Sequence, residues 1–133
     1  MEGKTIRLEL VSPEKLLASE EATIVVIPGA MGDMGVMAEH APLVSGLRPG
    51  VIVATLASGE EKKFFVTGGF ADVTGELCSI LAEQSCDVAE IDRAKAEQEL
   101  REYTEQLSAV GADEGRRKVL ERDIAIAEAK LAA

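Results

Sequence analysis

Few residues in this chain are suited to chemistry, and their spacing limits what they can do. The glycine-rich run Pro28-Gly-Ala-Met-Gly-Asp-Met-Gly35 has the texture of a phosphate cradle. It holds no Walker lysine and no helical pattern follows it, so no helix dipole would face an anion, and a surface loop is expected. Met31, Met34 and Met37 are flexible thioethers suited either to a partner surface or to the core. His40 could act as a general base only beside a nucleophile or a second acid, and none stands at such a spacing, so a structural or interface role is expected. Cys78 and Cys86 lack metal-type spacing and read as reduced, half-buried strand residues. Glu20, Glu21, Glu60 and Glu61 read as solvated turn acids. Arg116, Arg117 and Lys118, with Arg122, are either a solvated face or an electrostatic handle for an acidic partner. No catalytic or metal constellation emerges, and the chain reads as non-enzymatic.

The elements that would position these residues fall into two textures. All four prolines and ten of the 12 glycines precede residue 88, whereas strong helix formers dominate after it. The first region, 1–88, alternates with period two. Ile6, Leu8 and Leu10 form one half-buried strand, and Ala22–Ile27 is a run closed by Pro28-Gly29. Val51–Leu56, Lys63–Thr67, Phe70–Val73 and Leu77–Leu81 follow, punctuated by turn residues. Without helical crossovers a parallel α/β architecture is disfavoured, and an antiparallel sandwich or barrel is expected. The second region, 89–133, switches period. Ala96, Leu100, Tyr103, Leu107 and Val110 make one helical stripe; Leu120, Ile124, Ala127 and Leu131 make another. Asp92 and Asp113 are suited to N-caps, and Glu97 stands one turn from both Arg93 and Arg101. The spacing predicts an antiparallel helical hairpin. Its second stripe is rich in alanine, so the seam is narrow and mobility is expected.

Composition narrows the function classes. The chain has 133 residues, 47% hydrophobic and 29% charged, which excludes a disordered polymer. Its formal charge of −10 argues against a nucleic-acid partner. No stretch reaches the roughly 20 apolar residues of a membrane span. The opening Met-Glu-Gly-Lys-Thr has neither the apolar stretch of a secretory signal nor the character of a transit peptide.

Several short segments in a fixed order carry a resemblance. Leu8-Glu-Leu-Val-Ser-Pro13 opens the chain. Gly35-Val-Met-Ala-Glu-His-Ala-Pro-Leu43 precedes Leu47-Arg-Pro-Gly50, and Gly68-Gly-Phe70 precedes Leu81-Ala-Glu83 and the two helical stripes. Together they resemble the epsilon subunit of F-type ATP synthases over nearly the whole chain. The resemblance implies an N-terminal antiparallel β-sandwich of about ten strands, 1–88, followed by a C-terminal antiparallel two-helix hairpin, 89–133. It implies a non-catalytic rotor subunit of the central stalk, peripheral on the cytoplasmic face of a bacterial inner membrane. Expected partners are the gamma subunit, the c-subunit ring and, through the C-terminal helix, the alpha/beta head.

Asp33, Met34 and His40 are the positions that the resemblance places at the c-ring and gamma interface. Arg116, Arg117, Lys118 and Arg122 would meet a beta subunit when the hairpin extends to restrain ATP hydrolysis. No cofactor is required, but some bacterial relatives bind ATP on the hairpin. The matching positions here are Glu83, Ile91, Asp92, Lys95, Ala96 and Lys130. Lys95 replaces a motif arginine, keeping charge but losing the bidentate fork, while Glu102 and Ile126 stand at further arginine positions, so weak Mg-ATP binding is expected. The isolated chain is expected to be monomeric. The competing reading is a free-standing ligand-binding sandwich that dimerises through its helices.

Overall fold

The structure, a computed structural model, describes residues 4–133. The Met-Glu-Gly opening, part of the segment read above for a signal, lies outside the described residues. These residues fall into two compact units, the first ending at Val88 and the second spanning Ala89–Ala133.

Alternation builds the first unit. β1 (Ile6–Val11) turns Ile6, Leu8 and Leu10 fully inside and Arg7 and Glu9 to the opposite face. β2 (Leu16–Gly29) is long enough to serve two neighbourhoods. Its first half pairs antiparallel with β1, and its second half runs between β3 (Gly32–Val36) and β5 (Gly50–Leu56). β4 (Leu43–Leu47), β7 (Gly69–Val73) and β8 (Leu77–Ala82) follow one another across the sheet on the other side of β1. β6 (Glu61–Val66) and β9 (Ser85–Asp87) extend the sheet beyond β5. Two layers sharing β2, antiparallel except where β1 meets β8, enclose Leu8, Leu10, Val25, Ile27, Ile52, Val73 and Ile80. Each such side chain taken from water contributes about 1.5–3 kcal/mol.

Three features depart from the sequence reading. First, β1 and β8 pair in parallel, Leu8 opposite Cys78 and Leu10 opposite Ile80. No crossover helix is needed, because six strands intervene. Second, Pro28–Gly35 is no loop. β2 continues to Gly29 and turns at Ala30-Met31 into β3, with Pro28 opposite Asp33 and Gly29 opposite Gly32. Pro28 is tolerated because the β5 pairing stops at Val26, so its missing N–H leaves no ladder bond broken there. Third, Glu20, Glu21 and Glu61 lie in strands and are ion-paired, not turn acids. Glu20 meets Lys62 at 2.6 Å, Glu21 meets Arg7 at 2.8 Å and Glu61 faces Lys63 at 3.7 Å. The hydrogen bond that Lys62 donates to the Glu20 carboxylate is the main reason its ammonium is held above its ordinary range.

Gly69 explains the Gly68-Gly69 pair. Its φ is +139°, and a Cβ there would stand 2.0 Å from the Leu81 carbonyl oxygen. Only glycine lets β7 begin so close to β8.

The second unit is a pair of helices, entered through a 3-10 turn at Val88–Glu90 that straddles the boundary. α1 (Arg93–Ala109) starts where the Asp92 carboxylate accepts from the Lys95 amide at 3.0 Å. α2 (Glu114–Ala132) starts where Asp113 accepts from the Arg116 amide at 3.1 Å. These acids satisfy amides that have no partner inside the helix. Between them Gly111, at φ +64°, supplies the left-handed residue that ends α1.

Candidate functional site

Two surfaces of the sandwich and one region of the hairpin carry the candidate residues. At one end of the sandwich, the β2–β3 turn presents Met31 fully exposed. Arg48, from the turn after β4, braces this prong. Its guanidinium donates to the Gly29 carbonyl at 2.5 Å and pairs with the Asp33 carboxylate, while its amide donates to the Pro28 carbonyl at 3.0 Å. Asp33 is thus an exposed strand residue held by a cation, and Met34 is half-buried against the core. His40 lies beyond the far end of β3. Its amide donates to the Met37 carbonyl at 3.1 Å, its Nδ1 stands 2.7 Å from the Ala41 carbonyl, and the neighbouring Glu39 amide donates to Gly75. No hydrogen bond or ion pair joins Asp33 to His40 among the described residues.

The second surface went unread in the sequence. On the outward face of the first layer, apolar side chains line up across four strands. Leu16 stands opposite Val11, Val11 opposite Leu81, and Leu81 opposite Phe70. Leu16, Leu81 and Phe70 are 57%, 53% and 62% exposed, and Val44, on the next strand, is 70% exposed. The available signal was that Phe70 and Leu81 are apolar at positions where the period of two calls for polar residues. A row of exposed apolar side chains of this kind is a candidate surface for a partner.

Burial pushes the Cys78 thiol up to about 11, leaving little thiolate at neutral pH. Cys86 is half-buried in β9, and neither cysteine is in a disulfide. Among the described residues no group of three or more His, Cys, Asp or Glu side chains could hold a metal ion.

In the hairpin, Ala96, Leu120 and Ala127 are the buried members of the two stripes. Tyr103, in the α1 stripe, donates to Glu99 at 3.2 Å, and its hydroxyl is held above the ordinary tyrosine range, first by burial and then by that carboxylate. The basic cluster opens α2 and has divided duties. Arg117 donates to the Gly111 carbonyl at 2.8 Å and so ties the inter-helix turn, whereas Arg116, Lys118 and Arg122 are exposed. Arg116 and Arg117 lie in the first turn of α2, where a cation opposes the macrodipole at about 0.3–1 kcal/mol.

Of the positions matched to ATP binding, Asp92 is the N-cap of α1, Ala96 is buried and Ile91 is half-buried. Lys95 is exposed on the first turn of α1, and Lys130 is half-buried in the last turn of α2. Glu83, in the turn between β8 and β9, is exposed, and its amide donates to the Gly68 carbonyl at 3.0 Å. Arg93, read as a partner for Glu97, does something else: its guanidinium donates to the Lys130 and Leu131 carbonyls at 3.1 and 3.2 Å, and also to that of Ala133.

Comparison with known proteins gives a consistent picture. Residues 5–87 match the family model described as ATP synthase, Delta/Epsilon chain, beta-sandwich domain. The ATP synthase epsilon chain of Chelativorans sp. (strain BNC1) is 48% identical over 119 residues, covering 90% of this chain and 88% of that one. The ATP synthase epsilon chain of Rhodospirillum rubrum is 40% identical over 131 residues, covering 98% and 97%. Among solved structures, a chain of the Euglena gracilis mitochondrial ATP synthase superposes with a TM-score of 0.86 at 26% identity, covering 99% of this chain and 84% of that one.

Proposed function

The chain belongs to the ATP synthase epsilon family, whose place is the rotor in the central stalk, and from that premise we propose how its surfaces are used. A free-standing sandwich that dimerises through its helices is set aside by a family match over nearly the whole length. The chain makes and breaks no covalent bonds; it transmits load. The apolar row of Leu16, Leu81 and Phe70 receives the gamma subunit, and this row is the observation that carries the reading. The braced prong with Asp33 and Met34 meets the c-subunit ring, and the His40 turn borders the same contacts. Rigidity supports this role, because Arg48 fixes the prong through three of its donors.

The subunit sits peripherally on the cytoplasmic face of a bacterial inner membrane, anchored through its partners. No helix among the described residues is long and apolar enough to cross a membrane. In isolation the chain is a monomer.

The hairpin restrains hydrolysis. Its seam is buried through small residues, so extension toward the alpha/beta head requires new contacts to exceed the old by only a few kcal/mol. Arg116, Lys118 and Arg122 would then face acidic residues on a beta subunit. α2, with 19 residues, reaches about 28 Å. Mg-ATP binding at Glu83, Ile91, Asp92, Lys95, Ala96 and Lys130 is weak, since Asp92 already caps α1 and the lysines offer point charges without a fork. Calorimetric titration with millimolar Mg-ATP checks this, and an absence of heat removes the site.

Co-purification with gamma tests the docking. Phe70→Glu, on an exposed side chain, is expected to leave the fold intact and abolish recovery of gamma; normal recovery overturns the assignment. Removing residues 89–133 from the assembled complex is expected to raise its ATP hydrolysis rate, and an unchanged rate refutes the inhibitory role.

A further inference from the structure

We propose that Arg93 is an intramolecular clasp that holds the last turn of α2 against the start of α1 and so sets how often the helical hairpin opens. The inference rests on the reading of the hairpin as mobile. The last carbonyls of any helix lack intrahelical partners, and they form the negative end of its dipole. In α2 those groups are met by a residue from the other helix. Arg93 occupies the first position of α1, immediately after its N-cap Asp92, and one nitrogen of its guanidinium reaches the Lys130 carbonyl at 3.1 Å and the Leu131 carbonyl at 3.2 Å. A second nitrogen reaches the Ala133 carbonyl.

A fork is needed for this geometry. Arginine presents coplanar donors at fixed spacing, whereas lysine offers one compact ammonium. The position is unusual for a cation, because the first turn of α1 is the positive end of its own dipole. The favourable interaction is with α2, so Arg93 gains when the hairpin is closed and loses when it opens. Asp92 supports the arrangement by fixing the first turn, its carboxylate accepting from the Lys95 amide. The seam offers little competition as a source of closure, since two of its three buried residues are alanines, Ala96 and Ala127. A clasp at the open end of a hairpin, opposite the Gly111 turn, acts with the longest lever on opening.

Hydrogen exchange of the full chain, read by peptide mass spectrometry, tests the clasp with Arg93→Ala and Arg93→Lys. Arg93→Ala is expected to speed exchange about tenfold in peptides covering the last two turns of α2 and in the seam residues 100–107, the size set by losing charge-assisted hydrogen bonds. Sandwich peptides at 6–11 and 77–82 should be unchanged, showing that the variant is folded. Arg93→Lys should fall between the two. Equal exchange in wild type and Arg93→Ala overturns the proposal, and so does an increase confined to the final turn, which would reduce Arg93 to a local cap. In the assembled complex Arg93→Ala is expected to hydrolyse ATP more slowly than wild type. Faster exchange with unchanged hydrolysis upholds the clasp and counts against the inhibitory role instead.

Discussion

Cys78 shows how burial turns a reactive group into a structural one. Its folded value of about 11 lies above the ordinary thiol value of 9.0. The unfolded chain therefore releases its proton first as pH rises. The stabilisation is complete below pH 9 and is lost as pH climbs toward 11, a fall of about 2–3 kcal/mol. Urea titrations at pH 8 and pH 11 should show it, and Cys78→Ala should remove this component of the alkaline loss. Gly69 predicts a second effect. Gly69→Ala places a methyl group against the Leu81 carbonyl at a φ that L residues rarely adopt, and about 3 kcal/mol or more of stability should be lost, as measured by the denaturation midpoint. Some residue roles were legible in sequence because the cause is local. Asp92 and Asp113 cap the helices they precede, and Ile6, Leu8 and Leu10 alternate within one strand. Arg48 and Arg93 were not legible in this way. Their acceptors lie at Gly29 and Asp33 and at Lys130 and Leu131, and nothing in the neighbouring residues announces a partner so far along the chain.

Helices announce themselves through several turns of repeat, while a strand of three to five residues leaves too few positions for a period to show. Both helices could therefore be read from spacing, whereas β3 and β4 escaped and β9 was signalled only by Cys86. β3 was further disguised by three glycine or methionine positions that carry no alternation, and β4 by Ser45-Gly46 in the middle of five residues. β9 has only three residues and exists because Ser85 and Cys86 find Val66 and Phe65 across the ladder. The early half of β2 was missed for a different reason. Its acids Glu20 and Glu21 looked like turn residues, yet Lys62 and Arg7 neutralise them from other strands. At this scale the hairpin makes its own prediction. Asp113→Ala should cost about 1 kcal/mol by releasing the first-turn amides of α2, already burdened by three successive cations. Helical circular dichroism should fall while exchange protection of β1 and β8 remains.

Taken whole, the molecule joins a unit built on non-local pairing to one built on local contacts. The core cluster of the sandwich runs from Ile6 to Ala82 and draws on no residue of the helices. A chain ending at residue 88 is accordingly expected to fold cooperatively and to retain gamma, with a single thermal transition in calorimetry and only the helical signal lost. The parallel pairing of β1 with β8 also governs the order of events during synthesis. β1 leaves the ribosome well before β8, so its second edge stays open until residues 77–82 have been translated and have cleared the exit tunnel. Until then an unpaired strand edge lined by Ile6, Leu8 and Leu10 is available to any other nascent chain nearby, so the interval between these two stretches is when a cell must shield this subunit from aggregation.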